Sequence, residues 1–400
     1  MTCVPKYKNM VSFEQALEII LSDARLMGTE RVGFQDSLHR VLAEDVYSDV
    51  DMPPFDKAAM DGYACRRADL GHSLQVLETI AAGELATQSV GSGQCIKIMT
   101  GAKVPDGADT VIMVEQTEEL DNGRIRFTGE KTRANIALKA EDVKKGDLVW
   151  FKGMPILPQH IAIFAAVGYI RPLVSIPPRV GILSTGDELV EPDRYPEEGK
   201  IRNSNGFQLA AQVKAAHCTP NYMGIVPDNE EETDRAIAKA LSENDVVLLS
   251  GGVSMGDFDF VPKIMKKNKV DIRFQKVAVK PGRPTVFGRT EKAYIFGLPG
   301  NPVSSFINFE TFVKPLLYEM MGNKYLVREV LMTLAVDFRR KKADRREFLP
   351  VAIDSNGAVT PVQYHGSAHI HAIGMAQGLM NIPKGVFEIK KGEKVHVRPI

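Results

Sequence analysis

Cysteine is scarce in this chain: Cys3, Cys65, Cys95 and Cys218 lie far apart and never form Cys-x-x-Cys. That spacing argues against a thiolate metal site and against a redox motif, and the four read as buried, unreactive thiols. An excess of one charge is also missing. The 50 basic and 50 acidic side chains cancel, so no global field gathers nucleic acid or an anionic membrane, and any anion site must be local. Long apolar runs are absent as well. The most apolar stretch, Ile161 to Ile170, is about half the length that spans a bilayer. Met1 to Met10 is polar and lysine-bearing, without the apolar region of a secretory signal. No membrane span, no nucleic-acid partner and a cytoplasmic location are therefore expected. No fixed-period repeat and no low-complexity tract occurs.

What is present is ordinary globular composition, 44% apolar and 25% charged, in a chain of 400 residues. A single hydrophobic core rarely grows that large, so two to four domains are expected. Ser12 and Gln15 form a capping box before the apolar face Ala16, Leu17, Ile19, Ile20 and Leu21, which predicts a helix. A second short helix is expected from Ser37 to Glu44. After Pro53 and Pro54, short apolar runs separated by glycine, as at Gln94 to Met99, Thr110 to Val114 and Arg124 to Thr128, predict a small β domain. Pro158 to Val167, closed by Gly168, reads as a helix.

From Arg179 onward strands and helices alternate. Strands are expected at Val180 to Leu183, Tyr222 to Val226, Val246 to Leu249 and Tyr294 to Phe296. Helices are expected at Ser204 to Ala216, Glu230 to Leu241, Phe260 to Lys266 and Pro302 to Met320. Such alternation predicts an α/β core on a parallel sheet. Beyond Gly322, Val330 to Val336, Phe348 to Ile353, Gly378 to Ile382 and Lys394 to Val397 suggest a small terminal β domain.

Three glycine-containing loops each follow a predicted parallel strand. They are Ser184-Thr185-Gly186-Asp187-Glu188, Ser250-Gly251-Gly252-Val253-Ser254-Met255-Gly256-Asp257, and Gly297-Leu298-Pro299-Gly300-Asn301-Pro302. Loops at the carboxyl ends of such strands share one crevice, and glycine lets backbone N–H groups approach phosphate closely. One such loop alone is a tight turn; three on successive strands point to a phosphate-bearing ligand. Asp187, Glu188, Asp257 and Asp259 place carboxylates beside these loops, an arrangement suited to magnesium held partly by substrate phosphate. Capping aspartates are the plainer reading of each one singly. If Gln275 to Lys280 is a strand, Lys276, Ala278 and Lys280 share a face, and with Arg283 they suit an anion, although lysines also protect edge strands. The basic run Arg339, Arg340, Lys341, Lys342, Arg345 and Arg346 lacks interleaved aromatics and by itself reads as a solvated turn. His365, His369 and His371 lack a fourth ligand for zinc.

Met52-Pro53-Pro54-Phe55-Asp56-Lys57-Ala58-Ala59-Met60-Asp61-Gly62-Tyr63-Ala64 resembles the signature of molybdopterin molybdenumtransferases, the MoeA and gephyrin E-domain family. Ile98 to Ala102, Ala140-Glu141-Asp142, the three loops above and Lys280-Pro281-Gly282-Arg283-Pro284 continue the resemblance over nearly the whole chain. It implies an α/β plus β multidomain fold. The central three-layer α/β domain, with a parallel-type sheet, would comprise 1–26 with 178–322 and bind molybdopterin. An elongated β-rich domain would comprise 51–142, a dimerisation and linker domain 27–50 with 143–177, and a small barrel-like β domain 323–400.

The resemblance also implies a homodimer that binds adenylated molybdopterin and molybdate, inserts molybdenum and releases AMP with magnesium. Contact with a molybdopterin adenylyltransferase would fit that sequence of steps. Substrate binding would fall to Thr185, Gly186, Ser250, Gly251, Gly252, Ser254, Pro299, Gly300, Asn301 and Pro302. The cation would fall to Asp187, Glu188, Asp257 and Asp259. Molybdate would meet Lys280, Arg283, Ser304, Arg345 and Ser367, and Asp259, Lys276 and Lys280 would act in catalysis. Asp61, Thr100 and Asp142 would close the crevice of the other subunit in a head-to-tail dimer.

The chain departs from the family pattern at Lys57-Ala58, His369, Ala376-Gln377-Gly378 and Arg283, where asparagine-serine, arginine, Ala-Asn-Gly and lysine are frequent. Two rival readings remain. An adenylyltransferase shares the α/β domain and would consume ATP, while a gephyrin-like scaffold would bind a peptide without turnover. The extra β domains point away from the first and the charged crevice away from the second.

Overall fold

The computed structural model describes residues 10–252, 261–323, 329–362 and 369–400, apart from the side chain of Ala372. Cys3, Ser254, Asp257, Asp259, His365 and Ser367 lie outside the described residues. Helix α1 (Phe13–Asp23) begins with the expected capping box: Gln15 N donates to Ser12 Oγ at 3.1 Å and Ser12 N to Gln15 Oε1 at 3.0 Å. Its apolar face joins the α/β core far along the chain, with the Phe13 ring 5.3 Å from Phe312 and 5.2 Å from Phe348.

Segments flanking the β-rich unit pair with each other, Thr29–Arg31 with Leu173–Ser175 and Val46–Tyr47 with Leu148–Trp150, and helix α2 (Pro158–Ala166) packs beside them. The expected helix from Ser37 to Glu44 is absent. A single 3₁₀ turn, Phe34–Ser37, precedes His39 at a positive φ, and the backbone then runs extended, with Leu42 N donating to Met154 O and His39 N to Ile156 O. Pairing with the neighbouring segment satisfies backbone groups that a helix would have satisfied internally. The β-rich unit is a six-stranded sheet in which Gly62–Cys65 lies between Gln94–Ile98 and the edge strand Thr110–Met113. Cys65, Cys95 and Cys218 are buried, and burial pushes each thiol up to about 12, in keeping with inert thiols.

The α/β unit holds strands β1 (Arg179–Thr185), β2 (Thr219–Val226), β3 (Val246–Ser250), β4 (Asp271–Phe274), β5 (Val286–Arg289) and β6 (Tyr294–Leu298), in the order β2-β1-β3-β6-β5-β4. The first four strands of that order are parallel, as the alternation predicts; β5 runs antiparallel to both its neighbours, β6 and the edge strand β4. Strand β3 shows why this is a three-layer unit. Val246 and Leu248 enter one core with α3 (Ser204–Ala215), while Val247 and Leu249 enter another with α4 (Glu230–Glu243) and α5 (Val261–Lys267). Period-two alternation of an all-apolar strand feeds both faces. The expected long helix near the end of this unit is α6 (Pro302–Asn308), a π turn at Phe309–Val313 and α7 (Lys314–Met320).

The terminal unit is a closed five-stranded barrel. Arg346–Ile353, Ala358–Pro361, Val330–Leu334, Lys394–Pro399 and Gly378–Ile382 pair in turn, and the last returns to the first. Val279–Lys280 of the α/β unit adds to it in parallel with Arg346 and Glu347. Among the described residues no helix is long and apolar enough to cross a membrane.

Candidate active site

The carboxyl ends of β1, β3 and β6 open onto one cavity of about 730 Å³. Thr185 and Gly186 line it from the first loop, Ser250, Gly251 and Gly252 from the second, and Pro299, Gly300, Asn301 and Pro302 from the third. The three loops are packed to contact: a Cβ on Gly300 would lie 3.8 Å from the Gly251 Cα, and one on Gly251 would lie 2.5 Å from the Thr185 carbonyl oxygen. With φ at +97°, Gly251 also occupies a conformation that disfavours any other residue.

Two helices begin at the cavity, α3 after Asn203 and α6 after Asn301, and both asparagines line it. Free N–H groups and the helix dipoles make such ends favourable for phosphate. Asn203 is held on every side: it accepts from Gly206 N at 3.0 Å and from Ser184 Oγ at 3.1 Å, and donates to the Tyr222 hydroxyl at 2.9 Å. Tyr222 in turn donates to Glu191 at 2.7 Å. Burial first, then the Glu191 carboxylate, pushes the Tyr222 phenol up, so it stays protonated and continues to donate.

Asn205 ties the second loop to the third, its amide donating to Ser250 Oγ at 2.8 Å and to the Gly300 carbonyl at 2.7 Å. Its Oδ1 and the Thr185 Oγ1 are buried without a hydrogen-bond partner among the described residues. Buried polar atoms are usually paired, and these two belong to residues of the cavity wall.

Asn203, Asn205, Arg202, Asp228 and Ile370 line the cavity without having been singled out in the sequence. The run Asn203-Ser204-Asn205-Gly206 at a predicted helix start held the available signal, since asparagine there caps. Ile370, from the terminal unit, had none, because its approach depends on docking of the barrel.

Of the expected cation ligands, Glu188 lines the cavity and Asp187 sits beside it, its Oδ1 accepting from the Asp228 amide at 3.0 Å. Glu188 and Asp228 thus offer exposed carboxylates on the wall. Among the described residues no group of three metal-ligating side chains forms. The donor set fits magnesium, which takes one or two carboxylates and completes its shell with phosphate and water.

The anion-binding candidates lie along the seam between the α/β unit and the barrel. Lys276, Ala278 and Lys280 alternate with buried Val277 and Val279, as a strand face requires. Lys280 Nζ is paired with Glu347 at 2.8 Å, Glu347 also meets Arg340 at 3.2 Å, and Arg345 donates to the Val279 carbonyl at 3.4 Å. Arg283 is exposed, next to Pro284 of the cavity wall, whereas Ser304 is buried in α6 and does not line the cavity. Within the basic run, Arg339 pairs with Glu388 and Arg346 with Glu14, so much of it serves packing.

Asp61 and Thr100 come together on the β-rich unit: Thr100 donates through both N and Oγ1 to Asp61 Oδ1 at 2.6 Å. Those bonds hold the Asp61 carboxyl below its ordinary value. Asp142 is exposed on the same unit, and none of the three lines the cavity.

Residues 11–168 match the model of the MoeA N-terminal region (domain I and II), 181–319 that of a probable molybdopterin binding domain, and 332–400 that of the MoeA C-terminal region (domain IV). The chain belongs to the MoeA family. Similar members include molybdopterin molybdenumtransferases of Staphylococcus epidermidis, 35% identical over 397 residues and covering 97% of this chain and 95% of that protein, and of Staphylococcus aureus, 36% identical over 405 residues and covering 98% and 96%. The crystal structure of the molybdopterin biosynthesis MoeA protein from Pyrococcus horikoshii superposes with a TM-score of 0.85 at 33% identity, over 98% of this chain and all of that one. Membership of the MoeA family accounts for the barrel, the three-layer unit and the cavity-forming loops together.

Proposed function

We propose that this chain is a molybdenum insertase of molybdenum cofactor biosynthesis, a transferase that places molybdenum from molybdate into adenylated molybdopterin and releases AMP. The observation that carries this reading is the convergence of three glycine-bearing strand ends and two asparagine-preceded helix starts on one cavity. The family's curated members are named for the same transfer.

In this reading Thr185, Gly186, Ser250, Gly251, Gly252, Ser254, Pro299, Gly300, Asn301 and Pro302 seat the phosphates, and backbone N–H groups stabilise charge building on the departing AMP. Asp187, Glu188, Asp257 and Asp259 hold magnesium, which when bound neutralises phosphate charge. Lys276, Lys280, Arg283, Ser304, Arg345 and Ser367 orient molybdate, arginine through its fixed donor fork. Lys280 serves best if its Glu347 partner tunes its position without taking up all its donors, and an ammonium has three. Asp61, Thr100 and Asp142 close the site of a second subunit, since none of them reaches the cavity of its own chain.

The working unit is a cytoplasmic homodimer with domains 27–50 and 143–177, 51–142, 1–26 and 178–322, and 323–400. An adenylyltransferase supplies the substrate.

The deciding experiment is AMP release from adenylated molybdopterin, with and without molybdate and magnesium, beside Asp259→Ala. Release that needs both and fails in the variant is expected. Release from ATP without molybdate would make the chain an adenylyltransferase, and no release from verified substrate would leave a scaffold. Mixing Asp142→Ala with Asp259→Ala chains tests the shared site: one competent site per mixed dimer is expected, and no recovery of activity would sink the sharing.

A further inference from the structure

The loop Lys280-Pro281-Gly282-Arg283-Pro284 carries two cations of the seam, and its backbone is fastened from below. The Gly282 carbonyl accepts from two buried donors, Thr285 Oγ1 at 2.7 Å and Asn308 Nδ2 at 3.2 Å, and Asn308 Nδ2 also reaches Thr285 Oγ1 at 2.6 Å. The next carbonyl, that of Arg283, accepts from Thr285 N and from Val277 N, both at 3.0 Å. Val277 is the neighbour of Lys276, so the two cation-bearing segments are tied to each other. Thr285 and Asn308 are wholly buried, and a Cβ on Gly282, at φ +103°, would lie 2.5 Å from Asn308 Nδ2. The loop thus rests directly on the Asn308 amide, an approach that only glycine permits.

We propose that Thr285 and Asn308 are positioning residues for the oxyanion, holding this loop so that Lys280 and Arg283 meet molybdate in one fixed arrangement; the inference rests on the reading of those cations given above. Lys280 and Arg283 are both exposed, so packing does not immobilise them and their reach is set by the backbone they leave from. An oxyanion gains from several donors at once only when they are already spaced for it, because ordering a free loop on binding costs conformational entropy. Two bonds to the Gly282 carbonyl and two to the next one remove that freedom in advance. Neither Thr285 nor Asn308 lines the cavity, so they act through the loop and not by touching the ligand. Asn308 also lies four residues after Ser304 on α6 and hence on the same helix face. The third oxyanion candidate is thereby tied to the same anchor.

The test is calorimetric binding of molybdate and of ribose 5-phosphate, each alone, to the full chain and to Thr285→Val, Thr285→Ser and Asn308→Ala, with Lys280→Ala marking the oxyanion site. Thr285→Val and Asn308→Ala should each weaken molybdate about tenfold, the scale of one lost hydrogen bond. Thr285→Ser keeps the hydroxyl and should bind molybdate as the unaltered chain does. Ribose 5-phosphate should bind every variant unchanged, which also shows that each is folded. Equal loss of the two ligands in both Thr285→Val and Asn308→Ala, as a general loss of structure gives, would overturn the proposal. Undiminished molybdate binding in either variant would do the same, and so would a Thr285→Ser chain as weak as Thr285→Val. If the unaltered chain bound no molybdate, or Lys280→Ala bound it equally well, the oxyanion reading of the loop would itself fall, and the anchor with it.

Discussion

Asn205 donates its side-chain amide to the carbonyl oxygen of Gly300 at 2.7 Å, joining the start of α3 to the loop after β6. The same amide reaches Ser250 Oγ, so one buried side chain sets the spacing of two loops of the cavity wall. Replacing it should disturb the cavity more than the fold. Asn205→Ala leaves the Gly300 carbonyl without its donor, a loss of about 1–3 kcal/mol for a buried group. AMP release should fall at least about tenfold, as expected when positioning rather than chemistry is lost. Thermal unfolding and turnover measured on one preparation check both; full activity would show that the loops hold their spacing unaided.

Gly251 and Gly300 lie against each other in the cavity wall yet should respond differently to a methyl group. Gly251→Ala meets the Thr185 carbonyl and a positive φ, so it should destabilise the chain by about 1–3 kcal/mol as well as weaken phosphate binding. Gly300→Ala meets only the Gly251 Cα at 3.8 Å. It should fold normally and lose affinity by crowding the ligand. Denaturant midpoints with ribose 5-phosphate binding separate the two, and similar stability losses would refute the distinction.

Asp61 is held ionised by Thr100. A carboxyl lowered in the folded state contributes stability that is present above its unfolded value and lost as pH falls through the folded one. Thr100→Val should raise the Asp61 carboxyl toward the ordinary aspartate range by removing the Oγ1 donor, while the backbone N–H remains. An NMR titration of the carboxyl carbon reads this directly. At neutral pH Asp61 stays charged in both chains, so any activity lost there reflects its position. A titration curve identical to the unaltered chain would remove Thr100 as the cause.

Asp23 at the end of α1 accepts from Arg273 Nε at 2.6 Å and Nη2 at 2.7 Å, and both side chains are largely buried. Arg273→Ala removes both short contacts and leaves the buried carboxylate only Arg289 at 3.7 Å, so the loss should lie toward the lower end of the range typical of a broken buried pair, about 3–5 kcal/mol. Unfolding in urea should show the loss, with little change in nucleotide affinity per folded molecule because neither residue lines the cavity. Loss of affinity with undiminished stability would contradict this division.

Local signals carried a large part of this structure. The capping box at Ser12 and Gln15, the proline and glycine that bracket α2, and the apolar strand β3 are interactions between residues close in sequence, whose periodicity survives in the chain itself. Glycines after successive parallel strands placed the cavity for the same reason: topology brings strand ends together whatever lies between them. The sequence alone thus determined the α/β core, the order of units and the family. Other features were decided only by tertiary structure. Val41 and Leu42 pair with Pro155 and Val174, overriding a helical pattern from Ser37 to Glu44 with partners more than a hundred residues away. Lys280 meets Glu347 and Ile370 reaches the cavity because of how the barrel and the loops pack. Such contacts join residues remote in sequence, and their free energy depends on distances and burial that no short window of sequence encodes.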